Sequence, residues 1–286
     1  MTKLCQPPDP NPRRPRLQAP PGATDTHFHI FGPEERYPFL QDRRFTPPDA
    51  SVASYIHLHR TLGLSRAVLV QASMYGTDNR RQLDAAREMD IPARVIVVVP
   101  GTVTDQELTD LHQQGARGVR FISTQPRGLP LDQLERFADR LREHGWHIQL
   151  MLAPQHLVEL EPRLARLRCP VVVDHMADIR SAAGVEQPAM QALLRLLKGS
   201  NCWIKLSAGY HHSEQDPPYP ETIPLVHALV AARPDRLFWG TDWPHAAHPG
   251  RMPNSTELFD LLLDWVPDES TRTRILVDNP AGFYGF

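Results

Sequence analysis

Two histidines stand two positions apart in Asp25-Thr26-His27-Phe28-His29. Side chains alternate along an extended strand, so a strand here puts both imidazoles on one face. A third histidine, His175, follows the apolar run Val171-Val172-Val173-Asp174, and a carboxylate, Asp242, lies in Trp239-Gly240-Thr241-Asp242-Trp243-Pro244-His245. Each signal is weak alone. A His-x-His pair can be a surface feature, a lone histidine after a strand is commonly structural, and an aspartate can cap a turn or helix. Together they offer what carbonyl hydrolysis needs. Imidazoles can polarise a carbonyl directly or through a metal, and a carboxylate can take a proton from attacking water.

Such groups must converge from separate elements. Short apolar runs alternate with segments of helical period, the pattern of βα units. The predicted strands are Ala23–His29, Ala67–Gln71, Arg94–Val99, Gly115–Phe121, His147–Leu152, Val171–Asp174, Cys202–Leu206 and Leu237–Gly240. Predicted helices include Val52–Leu62, Asp132–His144, Ala189–Leu197, Ser255–Trp265 and Ser270–Asn279. Val/Ile/Leu runs suit parallel strands buried on both faces, and no glycine-rich dinucleotide fingerprint follows an early strand. The fold class expected is α/β, a (β/α)₈ TIM barrel, over residues 23–286. Residues 1–22 are rich in proline and poor in apolar side chains. They read as an extended arm, disordered or loosely packed in preference to lying over the barrel or a neighbouring subunit. In a (β/α)₈ barrel the C-terminal strand ends and their loops build the active site. His27, His29, His175 and Asp242 all fall there.

These motifs resemble a known family. DTHFHIFGP, VVVDHM, WGTDWPH and the terminal LVDNPAGFYGF resemble the amidohydrolase superfamily. With VLVQASMYGTDN and GARGVRF, they are similar to its 2-pyrone-4,6-dicarboxylate lactonases and related sugar-lactone hydrolases, over Ala23 to Phe286. The resemblance implies a barrel of the metallo-dependent hydrolase type that opens a small lactone. Asp242 would be the base for water, with His27, His29 and His175 around the scissile carbonyl. It also bears on metal content. A carbamate-forming lysine expected near the end of the fourth strand is replaced by Val119-Arg120-Phe121. The fifth-strand histidine expected in mononuclear relatives is absent, since His147 begins that strand. A metal-free site is therefore expected, with one divalent ion such as Zn²⁺ on His27, His29, His175 and Asp242 as the alternative.

For substrate binding, Arg120 and Arg127 read as carboxylate-recognising cations, against the plainer reading of surface or ion-paired arginines. The resemblance adds Ser73 as a hydroxyl contact. Where relatives carry an arginine after the seventh strand, this chain has Tyr210-His211, so both are candidate contacts and a titratable group replaces a fixed cation. Tyr75 and the loop Arg36–Phe45 are candidates for a lid. The substrate class expected is a small lactone bearing a carboxylate. Alternatives are isomerisation of a sugar-acid lactone, metal-dependent amidohydrolysis or decarboxylation, and a non-catalytic binding barrel.

Bulk properties narrow the partners. The chain has 286 residues and a formal net charge of −2, with its cations scattered. A small molecule is expected, rather than nucleic acid or a membrane, and self-association into a homo-oligomer is compatible. Three cysteines make no paired framework and no apolar leader is present, which suits the cytoplasm.

Overall fold

The computed structural model describes residues 3–123, 129–199, 201–246, 248 and 250–286. The apolar runs form eight strands: β1 Thr24–Phe28, β2 Arg66–Val70, β3 Ala93–Val97, β4 Ala116–Ile122, β5 His147–Met151, β6 Val171–Val173, β7 Cys202–Leu206 and β8 Leu237–Trp239. They pair in parallel and in chain order. Helices such as Val52–Leu62 and Pro188–Gly199 lie between them. The first begins where Ser51 Oγ accepts from the Ser54 amide and ends at Gly63, whose φ of 73° suits a left-handed cap.

The barrel closes where β8 meets β1. Thr26 Oγ1 donates to Trp239 O at 2.8 Å, and beyond the strands the Asp242 amide donates to His27 O and the His29 amide to Trp243 O, both at 2.8 Å. Asp25 pins this seam. Its carboxylate accepts from the Thr241 amide (2.9 Å), Thr241 Oγ1 (2.6 Å), the His27 amide (3.0 Å) and Tyr55 Oη (3.1 Å). Burial pushes its pKa up to about 6, against the pull of these donors. Gly240 is required here because a Cβ would lie 2.7 Å from both the Cβ and the backbone nitrogen of His27.

Alternation separates two packed layers. Ala67, Leu69, Val95, Val97, Ile148, Leu150, Ile204 and Leu206 join the large cluster that includes the helices. Val68, Val70, Ile96, Val172 and Phe238 form a second cluster with Tyr284. That second set is the barrel interior, with the C-terminal helical segment packed against it. The final helical run extends beyond the expected Ser270–Asn279. It passes from Glu269–Thr273 through a π turn at Arg274–Asp278 into Asn279–Tyr284. Pro280 does not stop it, because proline in the first turn of a new segment forfeits no intrahelical bond. The expected helix Ser255–Trp265 is divided at Leu261 into Ser255–Asp260 and Leu262–Trp265.

The N-terminal segment departs from the loose arm expected of its composition. Lys3–Leu4 pairs in parallel with Phe45–Thr46. The amides of Arg16 and Leu17 both donate to Asp260 Oδ1 at 2.9 Å, Thr256 Oγ1 donates to Arg13 O at 2.7 Å, and Leu17 is buried. A segment with few apolar side chains is held through its backbone, which composition does not register.

Candidate active site

At the C-terminal end of the barrel, Asp242 Oδ1 lies 3.6 Å from His27 Nε2, 3.7 Å from His29 Nε2 and 3.6 Å from His175 Nε2. The four residues singled out by type and spacing therefore meet at one oxygen atom. All are buried, and His29, His175 and Asp242 line a cavity of about 780 Å³. His27 and His29 arrive on and just past β1. His175 opens a run of four residues, His175 to Asp178, whose φ angles lie between 45° and 55°. Asp242 also has a positive φ, 58°. Left-handed backbone costs roughly 1–2 kcal/mol at each non-glycine residue, and such outliers gather at functional sites.

The second nitrogen of each imidazole is also held. His29 Nδ1 lies 2.7 Å from Val70 O. A carbonyl only accepts, so His29 carries its hydrogen on Nδ1 and presents the Nε2 lone pair to the cavity. His27 Nδ1 lies 3.2 Å from Asp174 Oδ1 and 3.4 Å from Lys205 Nζ. His175 Nδ1 meets Ser207 Oγ at 2.8 Å. Burial keeps all three imidazoles neutral, pushing His29 and His175 down to about 3 and His27 in the same direction. Burial raises Asp242, but the imidazoles facing it, His175 foremost, outweigh that and hold it below the usual carboxylate range. The base is ionised at neutral pH.

Beneath this cluster lies a buried charged layer. Asp174 Oδ2 accepts from Arg120 Nε (3.2 Å) and Gln149 Nε2 (3.1 Å). Lys205 Nζ donates to Thr26 O (2.8 Å) and Gln149 Oε1 (2.9 Å), and lies 3.5 Å from Asp174 Oδ1. Burial drives Asp174 up, yet its neighbours His27, Lys205 and Arg120, the last two cationic, hold it well below its ordinary value. Lys205, wholly buried, is pushed down to about 8. Sequence reasoning did not select Asp174, Gln149 or Lys205. The available signal was polarity at inward positions of otherwise apolar strands, Gln149 in His147–Met151 and Lys205 in Cys202–Leu206.

Ser73, Arg120, Tyr210 and His211 all line the cavity. Arg120 serves two roles at once, since its guanidinium also pairs with Asp174 and donates from Nη1 to Gln71 O at 3.0 Å. Tyr210 Oη donates to Asp242 Oδ2 at 2.5 Å. His211 Nδ1 pairs with Asp178 Oδ1 at 2.7 Å. Burial lowers His211, but the Asp178 hydrogen bond and charge exceed that and raise it overall. Arg127 lies outside the described residues. The rim adds exposed Arg44, from the expected lid loop, together with exposed Arg180 and Arg251, which sequence reasoning did not select. Of the lid candidates, Arg44 and Phe45 reach the cavity, whereas Tyr75 is buried and accepts from the Gly32 amide at 2.9 Å.

His27, His175 and Asp242 could hold a metal ion. Neutral imidazole and carboxylate are ligand types for Zn²⁺, and His27 Nε2 is a buried atom without a hydrogen-bond partner. The opposite nitrogens are fixed by carbonyl, carboxylate and hydroxyl, the kind of hydrogen bond that orients a metal-binding histidine. The donor set fits one divalent cation. Lack of a fifth-strand histidine, which favoured a metal-free site, does not leave the shell short of donors.

The amidohydrolase family matches residues 24–286. A 4-sulfomuconolactone hydrolase of Hydrogenophaga intermedia is 38% identical over 94% of this chain and 91% of its own length. A 2-pyrone-4,6-dicarboxylate hydrolase of Comamonas testosteroni is 35% identical over 96% and 93%. A D-galactarolactone isomerase of Agrobacterium fabrum is 30% identical over 96% and 93%. Among solved structures, an apo protein of Agrobacterium tumefaciens superposes with a TM-score of 0.85 at 30% identity, covering 95% of this chain and 98% of that one.

Proposed function

The chain belongs to the amidohydrolase family, and on that premise we propose that it hydrolyses a small lactone carrying an anionic substituent. The observation that carries this reading is the meeting of three imidazole Nε2 atoms on one oxygen of an ionised aspartate, below a cation-rimmed cavity. Two relatives named for lactone hydrolysis, both of sulfonated or carboxylated compounds, support it.

In this mechanism a water beside Asp242 Oδ1 gives up a proton to the carboxylate as its oxygen adds to the lactone carbonyl. The tetrahedral intermediate collapses by breaking the ring C–O bond, and the departing oxygen takes the proton held by Asp242. One water is consumed and Asp242 is regenerated. His175 is suited to donate from Nε2 to the developing oxyanion, because Ser207 Oγ can supply a hydrogen to its Nδ1. His29 cannot donate there while Nδ1 carries its hydrogen and donates it to Val70 O. In the alternative arrangement, with His175 donating from Nδ1 to Ser207 Oγ and its Nε2 bare, a divalent cation held by His27, His29, His175 and Asp242 would instead supply Lewis-acid polarisation of the carbonyl. His211, whose protonated form Asp178 favours, and the rim arginines face the substrate's anionic group.

No helix among the described residues is long and apolar enough to cross a membrane. We place the reaction in the cytoplasm, whose reducing conditions suit the buried thiols Cys169 and Cys202. The deciding experiment is turnover of a lactone panel in water labelled with heavy oxygen. Hydrolysis puts one labelled oxygen into the opened acid. A rearranged lactone without label would instead mark an isomerase, as the galactarolactone relative is named.

A further inference from the structure

Asp242 has two oxygens, and only Oδ1 faces the imidazoles. Oδ2 is occupied from behind by Tyr210, and the contacts continue away from the cavity. Tyr210 Oη lies 3.3 Å from His245 Nδ1, and His245 Nε2 lies 2.8 Å from Ser255 Oγ. Ser255 opens the helix Ser255–Asp260. Tyr210, His245 and Ser255 are all buried, so none trades its partner for bulk water.

The donor inventory sets a direction. An ionised carboxylate only accepts, so the single phenolic hydrogen of Tyr210 points to Asp242 Oδ2. Tyr210 Oη can then only accept from His245, which places the imidazole hydrogen on Nδ1. His245 Nε2 is left as an acceptor and takes the hydroxyl hydrogen of Ser255. Every hydrogen in the chain Ser255–His245–Tyr210–Asp242 points toward the carboxylate. The reverse order would set the phenol oxygen's lone pair against Oδ2 at 2.5 Å.

We propose that Tyr210, His245 and Ser255 are positioning residues that lock Asp242 by its Oδ2 and commit Oδ1 alone to the reacting water. The inference deepens the lactonase reading and rests on it for its kinetic test. It also reassigns Tyr210 from substrate contact to support of the base.

The test is a double-mutant cycle of Tyr210→Phe and Asp242→Asn with steady-state kinetics. Tyr210→Phe should lower kcat on the order of 10–100-fold, the usual loss when such a support is cut, with KM little changed. In the Asp242→Asn background it should cost nothing further, because the pair acts as a unit. His245→Asn keeps an N–H near the place of Nδ1 and should retain more activity than His245→Leu. A raised KM with intact kcat, or a full additional loss in the Asp242→Asn background, would overturn the proposal. Should the wild-type protein open no lactone, the lactonase reading fails by itself. A crystal structure of Tyr210→Phe then decides the positioning claim: a rotated Asp242 carboxylate supports it, and an unmoved one sinks it.

Discussion

At the residue scale, the central fact is a surplus of lone pairs. His29 must present Nε2 without hydrogen, and His27, with Nδ1 beside Asp174, is placed to do the same. These nitrogens and Asp242 Oδ1 face one another across 3.6–3.7 Å, an arrangement that calls for a cation or a shared proton between them. Chelator-stripped protein should therefore take up about one Zn²⁺ per chain, and His27→Ala should lose most of that uptake. Elemental analysis after dialysis checks both. No uptake by the wild type would mean that protons alone quench the lone pairs. The four converging residues were legible in the sequence because strand-end position and residue type together select them. Asp174 and Gln149 were not, since one polar residue in an apolar run does not reveal whether its side chain meets water or an inward charge.

The seam between β1 and β8 governs the site at the element scale, because it carries two of the histidines on one side and Asp242 on the other. Gly240 and Asp25 hold that seam, and neither role was visible beforehand. Asp25 lies in the same short motif as His27 and His29, yet its partners Thr241 and Tyr55 come from distant parts of the chain. The left-handed run His175–Asp178 was hidden for another reason, as it contains no glycine to mark it. A methyl at Gly240 would collide with the backbone of His27, which cannot swing aside as a flexible side chain does. Gly240→Ala should cost about 1–3 kcal/mol of stability. It should lower kcat by more than its stability loss explains, because a shift near 1 Å in the catalytic groups is expensive. Urea unfolding alongside kinetics measures both. A destabilised variant with unchanged kcat would show that the seam supports the fold without aligning the site.

For the whole molecule, the strand order and the barrel class followed from periodicity, while the seating of the N-terminal segment did not, because backbone-to-carboxylate bonds leave no compositional mark. Many buried histidines also give the fold a characteristic pH response. His29, His147 and His175 are pushed down to about 3 by burial, and His212 and His245 to about 4. An unfolded histidine titrates near 6.5, so below that pH the unfolded chain binds protons the folded one refuses. Stability therefore falls as pH drops from about 6.5 toward 4. Asp25 and His211 run the other way, their raised folded pKa values adding stability as pH falls, Asp25 through about 6, but they are two groups against five. Asp174, held low, adds stability that is lost only below the ordinary carboxylate range. The urea midpoint should thus decline steadily between about pH 7 and 5. A flat profile would mean that the histidines are protonated in the folded state.

One comparison bears most directly on the account: ring opening of an anionic lactone panel by wild-type protein and by Asp242→Asn, with substrate binding measured for both. The account predicts turnover by the wild type and a loss of about 10²–10⁴-fold in kcat for the variant, with binding retained. Equal turnover by the two proteins, or binding without ring opening by the wild type, would contradict it.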